Sequence, residues 1–316
     1  MPSYSGIWSL SQQFQAVGQG LWPPNYVETE TFAIFALGQT TVNVATRDKY
    51  TYSGCVVSAG GAATAASRQG SAAGNSTVGI FALGFTNCGG VATRNKYTYA
   101  GCVVGAGGAA TAASYYGSAA GNSTVGIFAL GFTNTRSTTR DKYTYSGCVV
   151  AAGGAATVAS QIGSAAGNST VGIFALGCTS GGFVTTRNKY TYANNAVSTG
   201  GAATVASSRG SATGNGTVGI FALGQVGCCS STTRNKYTYS GCTVSAGGAA
   251  TAVSQWGAAA GNSTVGIFAL GCASYAASTT RNKYTYAGCV VAAGGAATAA
   301  SRRGSAASNG ASGVNM

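Results

Sequence analysis

The sequence predicts an all-β fold: a closed six-bladed β-propeller over residues 31–316, preceded by a short segment over 1–30. Three observations predict it. The string IFALG begins at Ile34, Ile80, Ile127, Ile173, Ile220 and Ile267, and KYTY begins at Lys49, Lys96, Lys142, Lys189, Lys236 and Lys283. Both recur at spacings of 46 or 47 residues, which fits a four-stranded blade. The repeats hold strand formers and turn formers with no helical periodicity. The two ends are incomplete in complementary ways. The first unit opens at TFAIFALG (31–38) without a small-residue strand, and the last ends in GSAASNGASG (304–313) with that strand and no IFALG after it. Pairing of the N- and C-terminal strands completes one blade and removes open edges.

Each unit divides into four strands. In the second unit these are 70–76, 77–84, 93–101 and 102–108. The first is nearly all Gly, Ala and Ser, as an innermost strand crowded around a narrow axis requires. The second carries the large apolar side chains of IFALG, which pack blade on blade. In KYTY the two tyrosines share one face by the two-residue period and fill the wedge between blades, while the Lys lies opposite and reaches water. Gly74-Asn75 marks the first hairpin and Ala100-Gly101 the third. The same hairpin accounts for the five N-x-[ST] sequences, at Asn75, Asn122, Asn168, Asn215 and Asn262.

Composition agrees with a small-side-chain β fold: Gly is 51 of 316 residues, and charged residues are 7%, against roughly a quarter in an average chain. No apolar run reaches the ~18 residues of a membrane span. The N-terminus has no basic region, and Gln12, Gln13 and Gln15 break its apolar run, so no secretory signal is expected and synthesis in a cytoplasm is. Of ten cysteines, Cys55, Cys102, Cys148, Cys242 and Cys289 share one repeat position, and Cys88, Cys178, Cys228, Cys229 and Cys272 sit in irregular connectors. With no His and no paired CxxC spacing, no zinc site is expected, and the cysteines read as buried free thiols.

The repeats resemble kelch repeats. GIFALG stands where a kelch strand would end in a Gly pair, and KYTY where its Tyr-bearing strand would be; the second Gly and the outer-strand Trp are mostly missing. This resemblance implies architecture and not activity. Residues 1–30 are not repeat sequence. Ile7, Leu10, Phe14, Val17 and Leu21 fall at a/d spacing, and Pro23-Pro24 breaks the chain. Such a piece is either a strap on the propeller wall or a docking or oligomerisation peptide that folds on a partner. The string YSGIWSLSQQFQAVGQGLWPP (4–24) is similar to the opening of bacteriophage tail-fibre-like virion proteins, matching at Tyr4, Gly6, Trp8, Leu10, Gln13, Gln15 and Ala16. That resemblance implies a virion-docking segment, with Ile7, Trp8, Leu10, Phe14, Val17, Leu21 and Trp22 as its contacts, followed by an exposed module, oligomeric on the particle.

The six units differ from one another mainly on one face. The strand 1–2 and 3–4 turns hardly change, whereas the strand 2–3 connectors read QTTVNVAT, FTNCGGVAT, FTNTRSTT, CTSGGFVTT, QVGCCSSTT and CASYAASTT. A two-residue slot before each first strand also varies: Arg68-Gln69, Tyr115-Tyr116, Gln161-Ile162, Ser208-Arg209, Gln255-Trp256 and Arg302-Arg303. Tyr, Trp and Arg dominate interface hot spots, so this face is the expected receptor- or glycan-binding surface, with drift at exposed loops as the plain alternative. The net charge is +13, and twelve of 17 basic residues are six Arg-x-Lys pairs: Arg47/Lys49, Arg94/Lys96, Arg140/Lys142, Arg187/Lys189, Arg234/Lys236 and Arg281/Lys283. They are expected to form a basic ring towards the variable face that draws an anionic surface polysaccharide or receptor.

Catalysis is not expected. There is no His, and the four acidic residues, Glu28, Glu30, Asp48 and Asp141, make neither a glycosidase pair nor a Ca²⁺ cage. No cofactor or metal is expected, and nucleic acid is disfavoured for want of an aromatic stacking track. The expected function is a phage virion appendage that adheres non-covalently to a host surface, located on the virion; the alternative is a structural virion protein, a capsid decoration or tail-hub part.

Overall fold

The structure is a computed structural model that describes residues 31–310 apart from 274 and 275. The docking residues Ile7, Trp8, Leu10, Phe14, Val17, Leu21 and Trp22 lie outside the described residues. Six antiparallel four-stranded sheets follow one another as blades. Blade 3 shows the pattern: inner strand Ser118–Gly121, second Val125–Ala129, third Arg140–Thr144, outer Val149–Ala152. Blade 2 begins at Ser71 and blades 4, 5 and 6 at Ser164, Ser211 and Ala258. Blade 1 is built from both ends of the propeller. Ser305–Ser308 pairs antiparallel with Phe32–Ala36, with Ala33 opposite Ser308 and Ala36 opposite Ser305. The closure legible in the sequence is therefore present, and blade 1 has the same four strands as the others.

The two-residue period assigns each sheet face to a different neighbour. Between blades 2 and 3, Ala73, Val78 and Ile80 meet Ala119, Phe128, Tyr143 and Tyr145. Ile80 and Tyr143 are completely buried. Burying each such side chain contributes roughly 1.5–3 kcal/mol. The first tyrosine of KYTY packs edge-on against the blade's own Phe, as Tyr143 does on Phe128 at 6.2 Å. The second reaches back to the preceding inner strand, where Tyr145 donates to the Gly74 carbonyl at 3.2 Å. Gly126 is required by this contact, because a Cβ there would meet the Tyr145 hydroxyl at 2.9 Å. The wedge-filling role read from the sequence is thus what the tyrosines do.

The face of invariant turns is tied blade to blade. The Asn75 side chain accepts from the Thr77 and Val78 amides at 2.9 Å, forming a local turn. Its amide then donates to the Ser123 carbonyl of the next blade at 2.9 Å. The strand 3–4 turn places Cys55, Cys102, Cys148, Cys242 and Cys289 at φ of 53–55°, with Asn195 at 57° in blade 4. These five cysteines are half-buried rather than buried, and Cys88, Cys228 and Cys229 are exposed, which corrects the expectation of buried thiols; Cys272 is buried.

Candidate functional site

The basic ring is not a solvated ring. Arg47, Arg94, Arg140, Arg187, Arg234 and Arg281 are buried, each only 1–2% exposed. They open the third strand and point into the gap before the next blade. The Arg140 guanidinium lies 4.6 Å from the centroid of Phe174, and its Nη2 donates to Asn188 Oδ1 at 3.1 Å. Asn188 Oδ1 also accepts the Thr157 amide, while its Nδ2 donates to Thr157 Oγ1 at 2.8 Å. Arg47, Arg187 and Arg234 bond Asn95, Asn235 and Asn282 in the same way. Arg94 and Arg281 meet Asp141 and Asp48 at 2.6 and 2.7 Å. Only the lysine half of each pair is partly exposed: Lys49, Lys96, Lys142, Lys189, Lys236 and Lys283. Lys142 points away from the variable face, with Nζ donating to Asn195 Oδ1 in the invariant-type turn. The Asn or Asp beside each Arg, which in sequence reads as part of a polar run, is the acceptor for the guanidinium of the preceding blade.

The variable slots meet around the axis. The second residue of each, Gln69, Tyr116, Ile162, Arg209, Trp256 and Arg303, has φ of 58–60°. Their backbones close a ring of hydrogen bonds. The amide of Gln69 donates to Arg303, Tyr116 to Gln69, Ile162 to Tyr116, Arg209 to Ile162, Trp256 to Arg209 and Arg303 to Trp256, at 2.8–3.0 Å. The left-handed conformation aims each amide at the neighbouring blade. It costs a non-glycine residue about 1–2 kcal/mol, and a β-branched one such as Ile162 is an outlier. Glycine would adopt it freely, yet none of the six copies uses glycine. The glycine ending IFALG makes the contrast: Gly177, at φ 71°, sits against the slot backbone, where a Cβ would meet the Ile162 carbonyl.

The first slot residues, Arg68, Tyr115, Gln161, Ser208, Gln255 and Arg302, pair instead with the strand 2–3 connectors, as Tyr115 does with Phe132 and Gln255 with Cys272. Gln69 and Gln255 are buried, which removes them from the expected contact surface. Arg68, Tyr115, Tyr116, Gln161, Ile162, Arg209, Trp256, Arg302 and Arg303 are half-buried around the mouth. Tyr116 and Trp256 come from opposite blades and stack at 5.4 Å. Arg209 and Arg303 flank Trp256 at 4.9 and 5.0 Å. Tyr115 packs on Tyr116, Phe132 and Phe85 at 4.9–5.2 Å, and Arg68 covers Phe85 at 5.0 Å. The sequence treated these aromatics as isolated; the sixfold ring brings them together. Both described aspartates are locked between blades, so no carboxylate among the described residues faces this mouth. Arg136 in the blade 3 connector adds a fifth arginine to the same face, its guanidinium near the Cys178 sulfur.

No known protein family matches the chain, and no curated protein does. Among solved structures it is similar to TolB from Acinetobacter baumannii, with a TM-score of 0.58 and 10% identity over 95% of this chain and 72% of that one. At that identity the likeness shows the fold alone. Among the described residues no group of three or more His, Cys, Asp or Glu is arranged to hold a metal ion.

Proposed function

We propose that the chain is an adhesion module, whose variable face binds an anionic surface polymer non-covalently and whose residues 1–30 fasten it to a bacteriophage virion as a tail-fibre-like appendage, in several copies. Adhesion, not catalysis, is the activity proposed, and multiple copies would multiply weak sites. The observation that carries the adhesive part is the axial ring: six side chains of five kinds held at positive φ, at positions where glycine would be unstrained. Strain of this kind is retained where the side chains themselves are used. Five arginines outside the repeat pattern, Arg68, Arg136, Arg209, Arg302 and Arg303, lie on that face. The virion part is supported by the similarity of residues 4–24 to tail-fibre-like openings.

The adhesive part is tested by retention on sulfated against neutral dextran. The expected result is retention on the sulfated polymer, weakening as salt rises, and loss of it in an R68Q/R209Q/R303Q variant but not in K49Q/K96Q/K236Q. Equal retention of both variants removes the variable face from the reading. Immunogold labelling of particles from the source culture with an antibody to residues 31–316 tests the rest. Label on tail tip or fibres supports adhesion, label on capsid or tail shaft supports a structural role, and no label removes the virion.

A further inference from the structure

The slots before blades 1 and 2 are neighbours, and they bring three arginines to one side of the axial mouth: Arg302 and Arg303 from one, Arg68 from the other. Burial pulls the Arg303 guanidinium below its ordinary value; Tyr116 opposes this, and the charges of Arg302 and Arg68 push further down. Arg303 Nη1 donates to Gln39 Oε1 at 2.9 Å, a neutral acceptor. The Arg68 guanidinium has a ring partner in Phe85 and no hydrogen-bond acceptor among the described residues. The interface arginines, by contrast, each donate to an Asn or Asp. The repulsion of Arg68 and Arg302 on Arg303, which has only a neutral acceptor, is unfavourable in the absence of a ligand, and an anion would reverse it.

The mouth also has space. A cavity of about 80 Å³ lies on the axis, lined by Gln69, Tyr116, Ile162, Arg209, Trp256 and Arg303 and by the glycines that follow them. One water needs roughly 10–15 Å³ by this measure, so there is room for a group of several heavy atoms. Two arginines line it and, among the described residues, no acid does. The Trp256–Tyr116 stack, with Arg209 and Arg303 against the Trp256 ring, forms the aromatic part of its wall.

We propose that the axial mouth is an oxyanion site, in which Arg303 and Arg209, the two arginines that line the cavity, with Arg68 and Arg302 beside Arg303, hold the carboxylate, sulfate or phosphate of an acidic saccharide next to the Trp256–Tyr116 stack. The planar guanidinium forks suit a bidentate oxyanion. This deepens the adhesion reading and rests on it for the identity of the physiological ligand. It makes that ligand one that presents its charge at a single ring or chain end, rather than a polymer spread across the face.

The test uses the full chain and inorganic sulfate as probe, titrated at constant ionic strength against chloride by calorimetry. Saturable 1:1 sulfate binding is expected, weakened at least tenfold by R68Q and by R303Q and unchanged by K49Q. The Arg68 side chain donates no hydrogen bond among the described residues, so R68Q keeps the test valid if R303Q folds poorly. Absence of saturable sulfate binding, or binding unaffected by R68Q, overturns the site. Retention on sulfated dextran separates the two ideas. Retention that survives while sulfate binding is absent sinks the axial site and leaves adhesion standing. Sulfate binding at the mouth with no retention upholds the site and sinks the adhesion reading. A carboxylated oligosaccharide competing with sulfate assigns the saccharide as source, and competition by free phosphate alone assigns a small anion instead, overturning the saccharide half of the proposal.

Discussion

The molecule uses arginine in two regions and in two ways. Between the blades, Arg47, Arg94, Arg140, Arg187, Arg234 and Arg281 are buried, stacked on a Phe and bonded to an Asn or Asp. On the variable face, Arg68, Arg209 and Arg303 are stacked on Phe85 or Trp256, half-buried, with no carboxylate near them among the described residues. The first group occurs once per blade and the second belongs to particular blades. The difference teaches that a sixfold fold spends repetition on its seams and variation on its mouth. Charge counting cannot separate these two regions; the partner of each guanidinium can.

The largest expected effect concerns the seams as a whole. All twelve KYTY tyrosines are raised above the ordinary phenol value, chiefly by burial. A raised folded value means that the unfolded chain loses these protons first, near pH ~10. The stability they lend is therefore complete below that pH and is lost above it. The seam arginines act oppositely. Burial pulls Arg47, Arg140, Arg187 and Arg234 down to about 10, so the folded chain releases those protons first and gains stability above that pH. Arg94 and Arg281 shift in the same direction. Six groups against twelve leaves the tyrosines in control. Cooperative unfolding is expected above pH ~11, with phenolate absorbance appearing together with loss of the sheet signal in circular dichroism. Phenolate that appears gradually from pH ~10 with the sheet intact would break the picture of one sealed seam.

A single seam comes next. Asn188→Ala removes the acceptor of Arg140 and leaves a buried cation without a partner, at a cost of roughly 3–5 kcal/mol in urea unfolding. The same change at an exposed connector residue such as Thr135 is expected to stay within ~0.5 kcal/mol. A small loss at Asn188 would mean that the Phe174 stack alone holds the guanidinium.

The mouth predicts changes of opposite sign at adjoining positions. Ile162→Gly relieves a β-branched residue at φ 59°, and a gain of about 1 kcal/mol is expected. Gly177→Ala, beside it at φ 71°, strains the backbone and drives a Cβ onto the slot carbonyls, and a loss of at least ~1 kcal/mol is expected. Melting temperatures of the two variants check both signs. If Ile162→Gly loses stability, packing of that side chain holds the mouth and the strain has a structural use.

How much of this was legible follows from what repetition displays. Blade count, strand order, the tyrosine wedge and the paired ends could all be read, because each is written six times or is conspicuous where it is interrupted; the strands themselves are shorter than the repeat suggests, as Arg94–Thr98 is within 93–101. The burial of Arg140 was less visible, since Arg-Asn-Lys reads as a polar run. The available signal was the Thr of GGAAT, recurring at Thr64, Thr111, Thr157, Thr204, Thr251 and Thr298 as the partner of each Asn or Asp. The axial cluster of Tyr116, Trp256, Arg209 and Arg303 was hidden for another reason. Its members are 47–187 residues apart in the chain and meet only through ring closure. The variable slots marked one face of the propeller, but not the positive φ that turns their second residues onto the axis.

The smallest expected effect sharpens the seams most. The chain already compares Asp with Asn at one position: Asp48 and Asp141 in two seams, Asn95, Asn188, Asn235 and Asn282 in four. The change is accommodated by a threonine hydroxyl that reverses its bond. Thr111 Oγ1 donates to Asp141 at 2.6 Å, whereas Thr64 Oγ1 accepts from Asn95 Nδ2 at 2.7 Å. The guanidinium donor and the threonine amide keep their places in both versions. The attraction gained by a full carboxylate is largely offset by the cost of removing it from water. Asp141→Asn is therefore expected to change stability by no more than ~1 kcal/mol in urea unfolding at neutral pH. Asp141→Ala, which leaves Arg94 unpaired, is expected to cost as much as Asn188→Ala. A large loss in Asp141→Asn would show that the two acidic seams are ionic locks, different in kind from the four neutral ones.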